Sequence, residues 1–224
     1  MPRCIDPDLS YCLIDGRPLF LDLAADRYFR LSDALERVFL AHLEGAALSA
    51  SDTRRLRGRG ITPAAPHGMQ ASGAIEVPRT SAMERASRDT PFKVDAAVGV
   101  FRDVCSVHLQ LRYLTLKGTL ASMAAYRGER ANALDTDPSD AMQQQLCEAS
   151  AAFLLTRLYV PAATRCLPDS IALVRFLARR GLFAHLVFGV VADPLSAHCW
   201  VQARHMVLND TVGNACAHTP IRVV

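Results

Sequence analysis

Three residues in the last third of the chain, Cys166, His198 and Asp210, have the types and order of a nucleophilic site. Cys166 opens the run CLPDSIALVRFLARRG, in which Ile171, Leu173, Val174, Leu177 and Ala178 recur at helical spacing. Pro168 and Asp169 suit a first helical turn, and Arg179, Arg180 and Gly181 suit a last one. A cysteine at a helix N-terminus meets the positive end of the dipole and unpaired N–H groups, and both favour thiolate. His198 lies in HCWVQA, a strand pattern that follows the apolar strand HLVFGVVA. A short turn around Arg204 and His205 then leads into MVLND, which ends at Asp210. His198 and Asp210 are 12 positions apart, a separation that a hairpin closes. Asp210 would then hold one ring nitrogen of His198 while the other faces the sulfur. The chemistry would be attack on an acyl carbon through a thioester, with a backbone N–H at or near Cys166 taking the oxyanion.

Each residue alone has a plainer reading. Cys166 could be a buried structural cysteine, His198 a satisfied histidine beside Trp200, and Asp210 a turn residue after Asn209. It is the ordered set that favours catalysis. Trp200 reads as a packing residue on the face of His198, and Cys199, on the opposite face, as core.

The elements that must position this set begin near Pro91. VDAAVGVFRDVCSVHLQLRYLTLKGTLASMAAYRGER predicts one or two helices, broken near Lys117-Gly118, with Val100, Val104, Val107, Leu111 and Leu114 on one side. After a loop through Asp135 to Ser139, a helix from about Asp140 carries Leu146, Phe153, Leu154, Leu158 and Tyr159. Pro161 ends it and delivers the chain to Cys166. The tail TVGNACAHTPIRVV predicts one more edge strand, with no helix start to activate Cys216. Upstream, YCLIDGRPLFLDLAADRYFRLS holds two strand-like runs, an Asp15-Gly16 hairpin turn and a second loop at Ala24 to Asp26. Ser32 precedes a helix with Leu35, Val38, Phe39 and Leu43 on one face and Gly45 as its stop. A second helix is expected over Ser49 to Leu56, stopped at Gly58 or Gly60, and a wing or short third helix through Ile75 and Val77. Thr62 to Arg79 reads as linker, with His67 idle in it.

Composition narrows the function. Half of the 224 residues are hydrophobic and the net charge is +3, which excludes general disorder and gives no support for nucleic acid as a partner. Arg54, Arg55, Arg57 and Arg59 could meet phosphate, but no base-reading pattern accompanies them. Seven cysteines without a CxxC pair fit a reducing cytoplasm better than a disulfide scaffold. Neither a signal peptide nor a membrane span is visible. Cys105 and His108 share a helical face without further ligands nearby. A zinc site from His185, His198, Cys199, His205, Cys216 and His218 would lack the close pairs such sites use. The phosphate-loop pattern GxxxxGK[ST] is absent.

CLPDS, HCWV placed 32 positions after the cysteine, and VLND together resemble the transglutaminase-like cysteine peptidases of lasso-peptide biosynthesis, the maturation B proteins, over residues 90–224. Cys199 stands where that family often has alanine. DLAADRYFRLSDALERVF resembles the start of the PqqD-like leader-recognition domain, to whose sheet edge a leader peptide adds as a strand. The resemblances imply an α+β chain, with a winged-helix-like recognition domain and linker at 1–80 and a transglutaminase-like (papain-type) cysteine peptidase domain at 90–224. The implied activity is removal of the leader from a lasso-peptide precursor by Cys166, His198 and Asp210. The implied partners are the precursor's leader and an asparagine-synthetase-like macrolactam synthetase. ATP dependence is implied as well, with its site possible on that partner. Two alternatives use the same features: an enzyme passing the acyl group to an amine such as lysine, and a leader-binding adaptor with a misassembled triad.

Overall fold

The Asp15-Gly16 turn sets the first structure of the chain. Both residues have positive φ, 51° and 75°, the conformation that matches a two-residue turn to the right-handed twist of its strands. It joins β1 (Leu9–Ile14) to β2 (Arg17–Asp22), and β3 (Arg27–Phe29) pairs antiparallel on the far side of β2. The computed structural model describes residues 8–61, 75–85, 94–131 and 140–224. His67, most of the expected third helix or wing, and the Asp135 to Ser139 loop lie outside the described residues.

Register decides what each face of this sheet touches. Tyr11 pairs with Phe20 and Phe20 with Phe29, which gathers three rings on one face. Against them pack α1 (Asp33–Leu43) and α2 (Ala50–Arg57), through Leu35, Phe39 and Leu56. Phe20 stacks on Phe29 at 5.1 Å, and Tyr11 meets Phe39 edge-on at 5.3 Å. Ser49 caps α2 by accepting the Asp52 N–H, and Gly45 stops α1 with φ 100°. The opposite face carries Cys12, Leu19 and Leu21, with half-buried Tyr28 beside them, and joins a second, larger core. With apolar residues at both phases of the alternation, this small sheet is covered on both sides.

The larger core is organised around α7 (Cys166–Ala178). Ile171, Ala172, Leu173, Val174, Phe176, Leu177 and Ala178 are all buried, so the helix is apolar nearly all round and can only sit inside. Surrounding it are α4 (Val94–Tyr113), α5 (Leu116–Gly128) and α6 (Asp140–Arg157). On its other side lie β5 (His185–Ala192) and β6 (Leu195–Ala203), the centre of a five-stranded sheet. Its order is β4-β7-β6-β5-β8, where β4 is Thr80–Ser81, β7 is Met206–Val207 and β8 is Thr219–Val223. Two short helices complete the described chain, α3 (Ala82–Arg85) and α8 (Val212–Cys216). No described helix is long and apolar enough to cross a membrane.

Several expectations need correction. The helical break falls at Thr115, not at Lys117-Gly118: the Thr115 hydroxyl accepts the Gly118 N–H at 3.1 Å and caps α5. A capping side chain outweighed the glycine, which sits in the first turn. Leu114, expected on the buried side with Val100, Val104 and Val107, is exposed at that break. α6 stops at Arg157, before Pro161, leaving Leu158 and Tyr159 in solvent. The strand before Asp210 covers only Met206–Val207, so the aspartate lies in the loop beyond it. The tail forms α8 as well as the expected edge strand, because Thr211 caps a short helix by accepting the Asn214 N–H. Residues 75–79 rest on the second sheet: Glu76 O accepts from Gln202 Nε2 at 2.6 Å, and Arg79 N–H donates to His205 O at 2.8 Å.

Candidate active site

A buried arginine shapes the approach to Cys166. Arg157, the last residue of α6, donates from Nε to Asp169 Oδ1 at 2.7 Å. Its Nη1 donates to Val160 O, and its Nη2 to Ala162 O and Ala163 O, at 3.0–3.2 Å. Asp169 also accepts the Arg165 N–H at 3.3 Å. One guanidinium thus wraps the connecting loop around itself and ties it to the first turn of α7. The five donors of arginine in a fixed fork make this possible, and lysine could not do it.

Cys166, so delivered, is the exposed first residue of α7. Interactions with Cys199 first, and then with His198, outweigh partial burial and bring its thiol down to about 4. His198 is fixed on β6 opposite Gly189 of β5. Its Nε2 lies 2.5 Å from Asp210 Oδ2, which leaves Nδ1 for the sulfur. The bond to Asp210 foremost, and then the interaction with Cys166, raise the imidazole to about 9. Between these two values the pair rests as thiolate and imidazolium.

Asp210 is held from four directions. Burial works against its charge, yet bonds from His198, the Thr211 N–H (2.7 Å) and Asn214 Nδ2 (2.8 Å) keep its carboxyl below the usual range. Its carbonyl accepts the Ser81 hydroxyl at 2.6 Å, so β4 fixes the backbone from behind. The His198 ring lies between Trp200, 6.1 Å away and nearly parallel, and His218 at 5.2 Å. Gly189 makes room for both: a Cβ there would fall 2.5 Å from Trp200 and 2.8 Å from His218. Asn209 staples strand to helix, accepting the Val201 N–H at 2.7 Å and donating to Ser170 Oγ at 2.9 Å. Ser170, one turn along α7 from Cys166, donates in turn to Cys199 O at 3.3 Å.

Of the three residues singled out from the sequence, His198 and Asp210 are joined by a hydrogen bond, and Cys166 is the first residue of α7. Trp200 packs on the His198 face as expected, with its N–H on Gln202 Oε1 at 2.8 Å. Cys199 is buried as expected. Sequence reasoning missed Arg157, Ser81, Asn214 and His218. Their roles depend on chain segments meeting in space, and only Asn214, four residues after Asp210, left a local signal. It also missed Tyr28. This residue of the small sheet sits close enough to feel Cys199 and Cys166, and burial foremost pushes its phenol upward. Among the described residues no group of three or more His, Cys, Asp or Glu side chains could hold a metal ion.

These residues fall within a stretch that comparison with known proteins recognises. A model of the transglutaminase-like superfamily matches residues 109–223, about half of the chain, and the chain belongs to that superfamily. It has a mixed α/β fold with a C-terminal transglutaminase-like domain. It is also similar to the Microcin J25-processing protein McjB of Escherichia coli, 47% identical over 45 residues. That stretch is 20% of this chain and 22% of McjB, so the chain matches under a quarter of that relative's length. No solved structure gives a significant match.

Proposed function

We propose that this chain is a cysteine endopeptidase that removes the leader from a lasso-peptide precursor. The observation that supports the reading is the hydrogen bond of His198 to Asp210, together with a helix-opening Cys166 whose thiol is held low, in a chain similar to a microcin-processing protein. The Cys166 thiolate attacks the carbonyl of the scissile bond, and a backbone N–H at or near Cys166 would take the developing oxyanion. The His198 imidazolium then gives its proton to the leaving amine. The leader remains as a thioester on Cys166 until His198 takes a proton from water and the leader leaves as a carboxylate. Asp210 keeps Nε2 protonated and the ring aimed throughout.

The released amine belongs to the core peptide, free for closure on a side-chain carboxylate by an asparagine-synthetase-like macrolactam synthetase. The N-terminal sheet supports the recognition half of the reading. Among the described residues no strand pairs with the outer edge of β3, and an extended leader could add there by backbone hydrogen bonds. Tyr28 on β3 feels the charge of Cys166, so a leader seated on that edge would be tethered near it. ATP dependence rests on the resemblance alone, and its site could lie on the synthetase. The described cysteines are all free thiols, in keeping with a cytoplasmic setting.

The lowered Cys166 thiol and the raised His198 imidazole speak for catalysis over a purely leader-binding adaptor. The test is mass spectrometry of a cognate precursor incubated with the chain, the synthetase and ATP. A single cut made by the wild type and lost in Cys166→Ala supports the peptidase. Binding without cutting overturns it, and transfer of the acyl group to lysine would reassign it to amide transfer.

A further inference from the structure

His218 lies outside the three residues assigned to the chemistry, yet its ring meets the imidazole among them. The two ring centroids are 5.2 Å apart, with the planes tilted by 42°. His218 can come so close because Gly189, the cross-strand neighbour of His198, has no side chain. A Cβ at Gly189 would fall 2.8 Å from the His218 Cβ. On its other side, His218 Nδ1 is 2.9 Å from Asn214 O. A carbonyl only accepts, so this nitrogen carries a proton and donates it.

That bond closes the end of α8. The helix has five residues, too few to hold itself in water. The Thr211 hydroxyl caps its start, and the His218 side chain joins the Ala217 N–H on the Asn214 carbonyl near its end. Asn214 is thus fixed between two caps, and its Nδ2 donates to Asp210 Oδ2 at 2.8 Å. The same nitrogen is 3.3 Å from His198 Nε2, whose proton already goes to that oxygen, so this approach is a contact and not a bond. The oxygen that orients His198 is therefore shared with a side chain whose backbone His218 holds.

We propose that His218 is a positioning residue for His198, acting through two contacts: its ring packs beside the imidazole, and its Nδ1–H holds α8 so that Asn214 stays on Asp210. The inference rests on the peptidase reading for the reaction it serves, while the contacts themselves need no substrate. His218 exchanges no proton in this role. Trp200, the other ring beside His198, is buried and anchored through its N–H on Gln202 Oε1. His218 is only half-buried, so it is the neighbour that can be replaced with least damage to the core. Its two contacts are separable by substitution. Asparagine puts an amide nitrogen near the place of Nδ1 without a ring, and phenylalanine supplies a ring without a donor.

The test reads the full chain in two ways. The first needs no substrate: the His198 Nε2 proton, held by Asp210, gives a downfield NMR signal, assigned by its loss in His198→Gln. In His218→Ala that signal should broaden or vanish through exchange with solvent. The second is cleavage of a cognate precursor, in which His218→Ala should lower kcat about tenfold and leave KM nearly unchanged. His218→Asn and His218→Phe should each fall between alanine and wild type, and the pair decides if the alanine variant does not fold. In an Asn214→Ala background, His218→Phe should cost nothing further, because the lost donor would have nothing to hold in place. An unchanged signal in His218→Ala, or a loss confined to KM, overturns the proposal. If the wild type cuts no precursor the peptidase reading fails, and the NMR signal still decides the role of His218.

Discussion

The two sheets of this chain put different parts of the residue to use. The five-stranded sheet and the loop beyond β7 place side chains at points: His198 on β6, Asp210 bonded to it, Gly189 where no side chain fits. The three-stranded sheet buries nearly everything its side chains offer on its two faces, and what it leaves for a partner is backbone along β3. Side-chain chemistry depends on residue type and can be read from spacing. Backbone recognition hardly depends on residue type, and leaves a weak trace in sequence.

That contrast can be broken by experiment. The largest effect belongs to Cys166→Ala, which should cut leader release by about four orders of magnitude or more while leaving leader affinity unchanged. Asp210→Asn follows, with a loss in kcat/KM of about a thousandfold and a shifted pH profile. The wild type should be active above the Cys166 value near 4, where thiolate exists, and below the His198 value near 9, where imidazolium can protonate the amine. Asp210 is the main cause of the raised imidazole, so its loss should move the alkaline limb down and leave the acid limb nearly in place. Arg157→Ala should cost stability by about 3–5 kcal/mol in denaturant melts, because Asp169 would keep its buried charge without its main partner.

Smaller effects test the other sheet. N-methylation of leader residues that bond the β3 edge should weaken binding by about 1 kcal/mol per bond, with kcat at saturation unaltered. If side-chain truncation of the leader matters and N-methylation does not, recognition runs through side chains and the contrast fails. The smallest change is expected of Asn214→Ala, a roughly fivefold loss of kcat/KM from one missing bond to Asp210.

The same contrast explains what was legible in the sequence. Helical spacing after Cys166 and the strand before His198 were plain because apolar residues there repeat with the period of their element. The Asp15-Gly16 turn was plain because few residues accept its backbone angles. The break at Thr115 was misplaced because a cap and a glycine, three residues apart, competed as signals. Arg157 could not be found at all: a buried arginine at a helix end looks like the solvated ones at Arg54 and Arg55 until its acceptors gather around it.

The bond from Ser81 to the Asp210 carbonyl bears on how this polypeptide can be divided. Residues 75–81 precede the helical block by sequence, yet they lie against β7 and hold Gln202, His205 and Asp210. A chain cut just ahead of residue 75 and expressed as two polypeptides would carry this strap with the cysteine-bearing piece. A cut at residue 86 would leave it on the other piece, and the aspartate's backbone would then be held only if the two halves reassembled. Two artificial genes differing by a dozen codons in their junction would therefore differ in whether the second product needs the first.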